Sequence, residues 1–167
     1  MIDDLGVDVP VTGQIRRVVS LVPSITEAIA VTCPHTLVGC TDYCIRPAHL
    51  DEVVGHEVAR IRGTKNPDRA AIIGLKPDLV VANQEENREY DVTLLREAGV
   101  PVWVTQIDTV SEAISSLTRL LVEGFGVERP QWLRDADEEW NQRWTDEVRS
   151  AVVAVWRDPW ICVGQDT

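Results

Sequence analysis

The sequence predicts an α/β fold: a Rossmann-like parallel sheet with helices on both faces, followed by a long helix. Two observations carry this. Four short segments repeat one grammar, an apolar strand, a polar loop and a helix start, as in Val18-Val19-Ser20-Leu21-Val22 followed by Pro23-Ser24-Ile25-Thr26-Glu27. The run Leu79-Val80-Val81-Ala82 is apolar without alternation, the pattern of a strand covered on both faces. Loops after parallel strands emerge at one edge of the sheet, where open α/β domains hold small ligands.

Residues 1–15 read as an irregular lead-in. Arg17 to Val22 is short and β-branched, the first strand. Ser24 with Glu27 three residues later matches a capping box, which predicts a helix to about Thr32, stopped at Cys33-Pro34. Leu37 to Cys40 is the second strand, and Thr41 to Glu57 is loop-rich. Asn66-Pro67 predicts a helix start, with Asn66 as cap and proline in the first turn, and Lys76-Pro77 ends that helix.

After the strand at Leu79–Ala82, a helix from about Arg88 ends at Gly99, a left-handed cap position. Val100 to Thr105 is the next strand. Thr109 and Glu112 form another capping box, and Ala113, Ile114, Leu117, Leu120, Leu121 and Phe125 share one helical face. A parallel sheet of about four strands is expected. Pro130 starts a helix of about 20 residues in which Trp132, Ala136, Trp140, Trp144 and Val148 recur every four positions, a stripe suited to packing across the domain. Ala151 to Trp156 and Trp160 to Gly164 read as two further strands in need of partners.

Composition narrows the function. The chain has 167 residues, enough for one domain with a core, or one domain and a stub of another. Its formal net charge of -11 repels phosphate backbones and excludes nucleic acid as the main partner. No segment approaches the roughly 20 apolar residues of a membrane span, so membrane insertion is not expected. The first ten residues are acidic and lack the apolar run of a secretory signal, which predicts a cytoplasmic protein; a start further upstream would allow a periplasmic or extracellular one. Cys33, Cys40, Cys44 and Cys162 form no C-x-x-C pair and read as reduced thiols. Cys40 and Cys44 with His35, His49 or His56 offer a zinc alternative at loose spacing, and no metal site is assigned.

The segments Val18–Glu27 (VVSLVPSITE), Val38–Pro47 (VGCTDYCIRP), Thr64–Pro67 (TKNP) and Leu75–Asn87 (LKPDLVVANQEEN) resemble the class III, cluster A solute-binding proteins. These serve ABC importers of vitamin B12 and siderophores and are also called helical backbone metal receptors. The resemblance runs over roughly residues 16–164. It implies two α/β lobes joined by one long helix, with ligand in the cleft between them. Residues 16–126 then match the N-terminal ligand-binding lobe, 127–150 the linking helix, and 151–167 only an incomplete start of the C-terminal lobe, which reads as a truncation. An ABC permease is the implied partner. Ala70, with Asp68 nearby, stands where many members carry a glutamate that docks to the permease. That departure, and the lack of a leader, fit a cytoplasmic binding relative equally well.

Within that frame Tyr43 follows the second strand, where family members often place an aromatic against the ligand; it otherwise covers the core as a loop tyrosine. Gln84, Glu85 and Asn87, with Asn83 and Glu86, gather amides and carboxylates suited to amide, hydroxyl or cationic ligand groups; Asn87 also reads as a helix cap. Ser24 caps a helix whose amide end can receive an anion. Ligand binding is therefore assigned to Tyr43, Gln84, Glu85, Asn87 and Ser24, with a cobalamin or ferric chelate as ligand and no cofactor. No catalytic residue is assigned, since G-x-G-x-x-G, G-x-x-x-x-G-K-[ST] and G-x-S-x-G are all missing. Two alternatives stand: a Rossmann-like enzyme using the Gln84–Asn87 loop on a sugar or nucleotide, and a non-functional fragment. Cys44 with His35 or His49 is the nucleophile an enzyme would offer.

Overall fold

The structure, a computed structural model, describes residues 1–143 and, beyond them, 156–157 and 160–161. In chain order the first elements are β1 (Val18–Ser20), α1 (Pro23–Thr32), β2 (Leu37–Cys40), α2 (Leu50–Val54) and β3 (Ala59–Arg60). A hairpin of β4 (Arg62–Gly63) and β5 (Asn66–Pro67) leads into α3 (Arg69–Gly74). Then come β6 (Leu79–Asn83), α4 (Glu89–Glu97), β7 (Val102–Thr105), α5 (Val110–Thr118) and α6 (Gln131–Arg143). A 3-10 turn covers Pro34–Thr36, and α5 runs into a π-helical segment at Arg119–Gly124.

The main sheet has five strands in the order β3-β2-β1-β6-β7, and every pairing in it is parallel. Val18, Val19 and Ser20 align with Leu79, Val80 and Val81. Strand side chains alternate between faces, and here both faces are dry. Val18, Leu79, Val81 and Trp103 join Ile25 and Ile29 of α1, Ile114 of α5 and Leu133 of α6 in one core. Val19, Val80, Ala82, Val102 and Val104 join Ile72 of α3 and Val92 and Leu95 of α4 in the other. Helices thus cover both faces, which is why β6 reads as an unbroken apolar run. Each aliphatic side chain so buried contributes roughly 1.5–3 kcal/mol.

Several local readings hold and several move. Leu37–Cys40 is a strand with the predicted bounds. Gly99 has φ 79 after α4, and Thr109 with Glu112 closes a complete capping box on α5. The Ser24–Glu27 box does not form. Val22 is the cap residue of α1, without a side-chain cap bond, and Pro23 takes the first helical position, so Ser24 already lies inside the first turn. Asn66 does not cap α3 either; it belongs to β5, and Asp68 accepts from the Ala71 amide at 3.0 Å instead. Nor does Asn87 cap α4, where Arg88 holds that position. The stretch read as loop contains α2, entered through His49 at φ 58 and left through Gly55 at φ 81.

The lead-in is a turn clamped to the domain. The buried Asp3 carboxylate accepts from the amides of Leu5 and Val7 at 3.0 and 2.8 Å and pairs with Arg96 at 2.8 Å. Asp4 pairs with Arg119 at 2.6 Å. Across the sheet, Asp78 accepts from the amides of Arg16 and Arg17 at 2.8 and 2.9 Å, so the Lys76-Pro77-Asp78 motif fixes the amino edge of the sheet.

On α6, Leu133 is fully buried, while Trp132 and Trp140 pack half-buried against the core and Ala136 is exposed. Trp144 and Val148 lie outside the described residues, as does Cys162. Of the expected tail strands, β8 (Trp156–Arg157) and β9 (Trp160–Ile161) pair antiparallel; the remainder of 151–164 lies outside the described residues.

Candidate functional site

The strand order creates a switch point. From β1 the chain moves to β2 on one flank, and β6 later takes the other flank of β1 and continues to β7. The loops leaving β1 and β6 therefore diverge, opening a crevice at their carboxyl ends. Four segments meet at this edge: the first turn of α1, the loop after β2, the Thr64–Lys65 turn of the β4–β5 hairpin, and the loop after β6.

Asn87 joins them. It is 5 % exposed. Its Nδ2 donates to the Thr64 carbonyl at 3.0 Å and the Leu21 carbonyl at 3.4 Å, and its Oδ1 accepts from the Asn83 amide at 2.8 Å. Asn83 in turn accepts from the amides of Glu85 and Glu86 at 2.9 and 3.1 Å and donates to Thr105 Oγ1 at 3.2 Å. The two asparagines spend their amides inside the lobe, and the side chains between them, Gln84, Glu85 and Glu86, face outward and exposed. Lys65 donates to the Glu85 carbonyl from the hairpin side. Partial burial raises the Glu86 carboxyl above the ordinary range, opposed by the nearby Lys65 charge.

Tyr43 completes this wall. Its ring lies over Gly63: a Cβ there would sit 3.1 Å from Tyr43 Cε2 and 2.5 Å from Asn66 Oδ1. A methyl there would have to displace the ends of these two side chains, which close over the Gly63 backbone. The Asp42 amide donates to the Arg62 carbonyl at 2.9 Å and holds the Tyr43 loop to the hairpin. Tyr43 is 65 % exposed and Ile45 75 %, so the loop presents an aromatic and an aliphatic face to solvent. Ser24 is exposed on the first turn of α1, three residues beyond the Leu21 carbonyl that Asn87 grips. In that turn the Ser24 and Ile25 amides have no acceptor within the helix.

The structure thus brings Tyr43, Glu85 and Asn87 onto one connected wall with Gln84, and Ser24 onto its neighbouring segment. It gives Asn87 a bracing part. Gly63, Asn83 and Ile45 are additions; the polar Thr64-Lys65 pair between short extended residues was the available signal for the hairpin. Two cavities flank the wall. One of about 440 Å³ lies toward α4, bounded by Leu5, Gln84, Thr93 and Arg96. The other, of about 280 Å³, lies behind the Tyr43 loop and is bounded by Cys44, Ile45, His49, Leu50 and Arg60.

Among the described residues no group of three or more His, Cys, Asp and Glu side chains is placed to hold a metal ion. The histidines are not gathered onto Cys40 and Cys44: His56 Nε2 lies 2.8 Å from the Leu37 carbonyl, and His49 is exposed beside Glu52. Among the described residues no helix is long and apolar enough to cross a membrane.

No family model matches the chain, and no curated protein matches it. Solved structures do. The periplasmic vitamin B12-binding protein of Vibrio cholerae aligns with a TM-score of 0.60 at 25% identity, over 77% of this chain and 48% of that one. A periplasmic haem-binding protein from Pseudomonas aeruginosa aligns at 0.63 and 24% identity, over 77% of this chain and 44% of that one. A Helicobacter pylori protein solved as a nickel–histidine complex aligns at 0.70 and 16% identity, over 85% of this chain and 47% of that one. The chain spans about half the length of these proteins. Its fold is that of the class III periplasmic solute-binding proteins, the family its motifs resemble.

Proposed function

We propose that the chain forms one wall of a small-molecule cleft and acts by binding, without catalysis. The observation that carries this is the bracing of two loops by Asn87, which holds an outward row of Gln84, Glu85 and Glu86 beside an exposed Tyr43 at the switch point of the sheet. Preorganised polar groups flanked by an aromatic face suit recognition of a preformed ligand, because little ordering remains to be done on binding. The similar structures, named for vitamin B12, haem and nickel–histidine, support a ligand of corrinoid or metal-chelate type.

The side chains fit such a ligand. Tyr43 and Ile45 cover a flat apolar face. Gln84 exchanges hydrogen bonds with peripheral amides, while Glu85 and Glu86 accept from amides or offset a cation. Ser24 adds a hydroxyl at the α1 amide end. A wall carrying two carboxylates and one nearby lysine disfavours anionic ligands. In this reading residues 16–126 are the ligand-binding lobe, α6 begins the linking helix, and a second lobe completes the cleft. An importer permease as partner belongs to the same proposal, although Asp68 is spent as the cap of α3 beside Ala70.

Calorimetric titration of the chain with cobalamins, haem and ferric siderophores tests this. The reading expects one of these classes to bind, and Tyr43→Ala to weaken it by about threefold or more, since base or ring stacking on an aromatic contributes of order 1 kcal/mol. Turnover of any of them, or indifference of all of them, overturns it.

A further inference from the structure

β7 is the outer strand of the main sheet, with β6 on one side only. Its odd-numbered residues face β6: the Pro101 carbonyl accepts from the Val80 amide at 2.8 Å, and the Thr105 carbonyl from the Gln84 amide at 2.9 Å. The backbone groups of Val102, Val104 and Gln106 point off the edge. An edge of this kind is a template for another strand. Here the lead-in and Arg96 close it. Arg96 Nη2 donates to the Val102 carbonyl at 3.0 Å, and the Val104 amide donates to Asp3 Oδ2 at 3.4 Å. The Asp4 amide donates to the Val104 carbonyl at 3.2 Å, and the Gln106 amide to Asp4 Oδ2 at 3.2 Å. Three of these four partners are side chains. The strap of residues 1–8 is itself held by polar contacts: Asp3 pairs with Arg96, Asp4 pairs with Arg119, and Ser116 Oγ donates to Asp4 Oδ2. Its apolar side chains contribute little. Ile2, Leu5 and Val7 are exposed, and Leu5 and Val7 face Val92 and Thr93 of α4 across the cavity of about 440 Å³. The buried Val9 anchors the strap to the domain.

We propose that the β7 edge is a pairing surface for a second copy of this chain, held shut by the strap in the single chain. The symmetry of the edge identifies the occupant. Set antiparallel to its own copy about a two-fold axis at Val104, β7 places Val104 opposite the partner's Val104. In an antiparallel ladder such a pair exchanges both bonds, amide to carbonyl in each direction. Two residues along, the Gln106 amide meets the partner's Val102 carbonyl, and the Val102 carbonyl meets the partner's Gln106 amide. The four groups that the strap and Arg96 occupy are therefore the four that this pairing uses. A generic extended peptide offers the same backbone bonds but must be ordered on binding, whereas a second β7 is already extended within its own sheet. Being isologous, the contact closes at two copies. Release of the strap leaves no charge stranded, because Arg96 and Arg119 already reach solvent in the closed state.

This surface does not rest on the ligand reading, and its readouts are mass and amide exchange. The double variant Asp3→Ala/Asp4→Ala removes both carboxylates and both ion pairs of the strap. At low concentration its Val104 and Gln106 amides should exchange about tenfold or more faster than in the native chain. The Val80 and Gln84 amides, bonded to β7 from the other side, should stay protected and report an intact sheet. Raising the concentration should restore protection at Val104 and Gln106, together with a doubling of mass in sedimentation. The dimer should form with a dissociation constant about tenfold or more below that of the native chain. Adding Gln106→Pro deletes an exposed donor at an edge position where proline is tolerated, and should return the opened chain to a monomer. If the double variant lacks a cooperative urea transition, Asp4→Ala alone, which keeps the Asp3 bonds to the Leu5 and Val7 amides, carries the same measurements. An opened chain that stays monomeric, a dimer that leaves Val104 and Gln106 unprotected, a dimer indifferent to Gln106→Pro, or growth past two copies overturns the proposal. So does an extended peptide unrelated to β7 that takes the edge more tightly than the second copy.

Discussion

Asn87 Nδ2 lies 3.0 Å from the carbonyl oxygen of Thr64, and this bond makes the β6 loop and the β4–β5 hairpin one wall. Replacing Asn87 by alanine strands the buried Leu21 carbonyl, the part-buried Thr64 carbonyl and the Asn83 amide. Each unsatisfied group costs about 1–3 kcal/mol, less where water can enter. The expected outcome is a stability loss of about 2–4 kcal/mol by urea unfolding, with ligand affinity falling as the loop loosens. Asn87→Asp keeps the acceptor for Asn83 but loses both donations, and should also be destabilised.

Two glycines separate binding from packing. Gly63→Ala must push aside the ends of Asn66 and Tyr43, both on flexible side chains, so stability should change by about 1 kcal/mol or less while ligand affinity falls. In Gly39→Ala the new methyl meets Leu75 Cδ1 at 2.8 Å and Val19 Cγ2 at 3.2 Å within the sheet. That substitution should cost about 1–3 kcal/mol and leave the affinity of the folded fraction unchanged. Paired denaturation and calorimetry on both variants distinguishes the outcomes; equal effects of the two on affinity would contradict the placement of Gly63.

The Cys44 thiol gives stability a pH dependence of known sign. Its folded value, about 6, is depressed below the ordinary 9.0, so between these values the unfolded chain binds the extra proton. This contribution is fully present above about 9 and is lost as pH falls through about 6. Above 9 the raised Cys33 and Cys40 thiols act in the opposite direction. The stability of the native chain relative to Cys44→Ser should therefore rise from pH 6 to 9, read by denaturant unfolding at fixed ionic strength. A flat difference would contradict it.

Trp132 and Trp140 serve the scaffold. Trp132 Nε1 donates to Thr32 Oγ1 at 3.1 Å and Trp140 Nε1 to Ser111 Oγ at 3.2 Å, tying α6 to α1 and α5. Alanine at either position should lower stability by about 1–3 kcal/mol, below the cost of a fully buried tryptophan, without altering ligand affinity once folded.

What the sequence discloses follows the range of the interaction. Leu37–Cys40, Gly99 and the Thr109–Glu112 box were legible because each depends on neighbours within one turn or strand. The apparent box at Ser24 fails because Pro23 fixes the backbone one residue earlier and starts the helix there. Asn66 looks like a cap, but hairpin pairing with Gly63 claims it, and Asp68 two residues on takes the role. The positions of Tyr43, Gln84 and Glu85 at the strand ends were readable from the strand–loop grammar. The bracing by Asn87 was not, because its carbonyl partners lie 66 and 23 residues away. The same is true of Arg60 on Cys40, which are 20 residues apart and meet only through the β2–β3 pairing.

The most direct test of the cleft assignment is a residue-resolved map of ligand contact. The ¹⁵N-labelled chain, titrated with the corrinoid or chelate that calorimetry finds to bind, should show its largest amide shifts at Ser24, Tyr43, Ile45, Thr64–Asn66 and Gln84–Asn87. The amides around Thr93 and Arg96, at the cavity toward α4, should stay nearly unmoved. Shifts concentrated at that cavity, with the Tyr43 loop and the hairpin turn unchanged, would contradict the account.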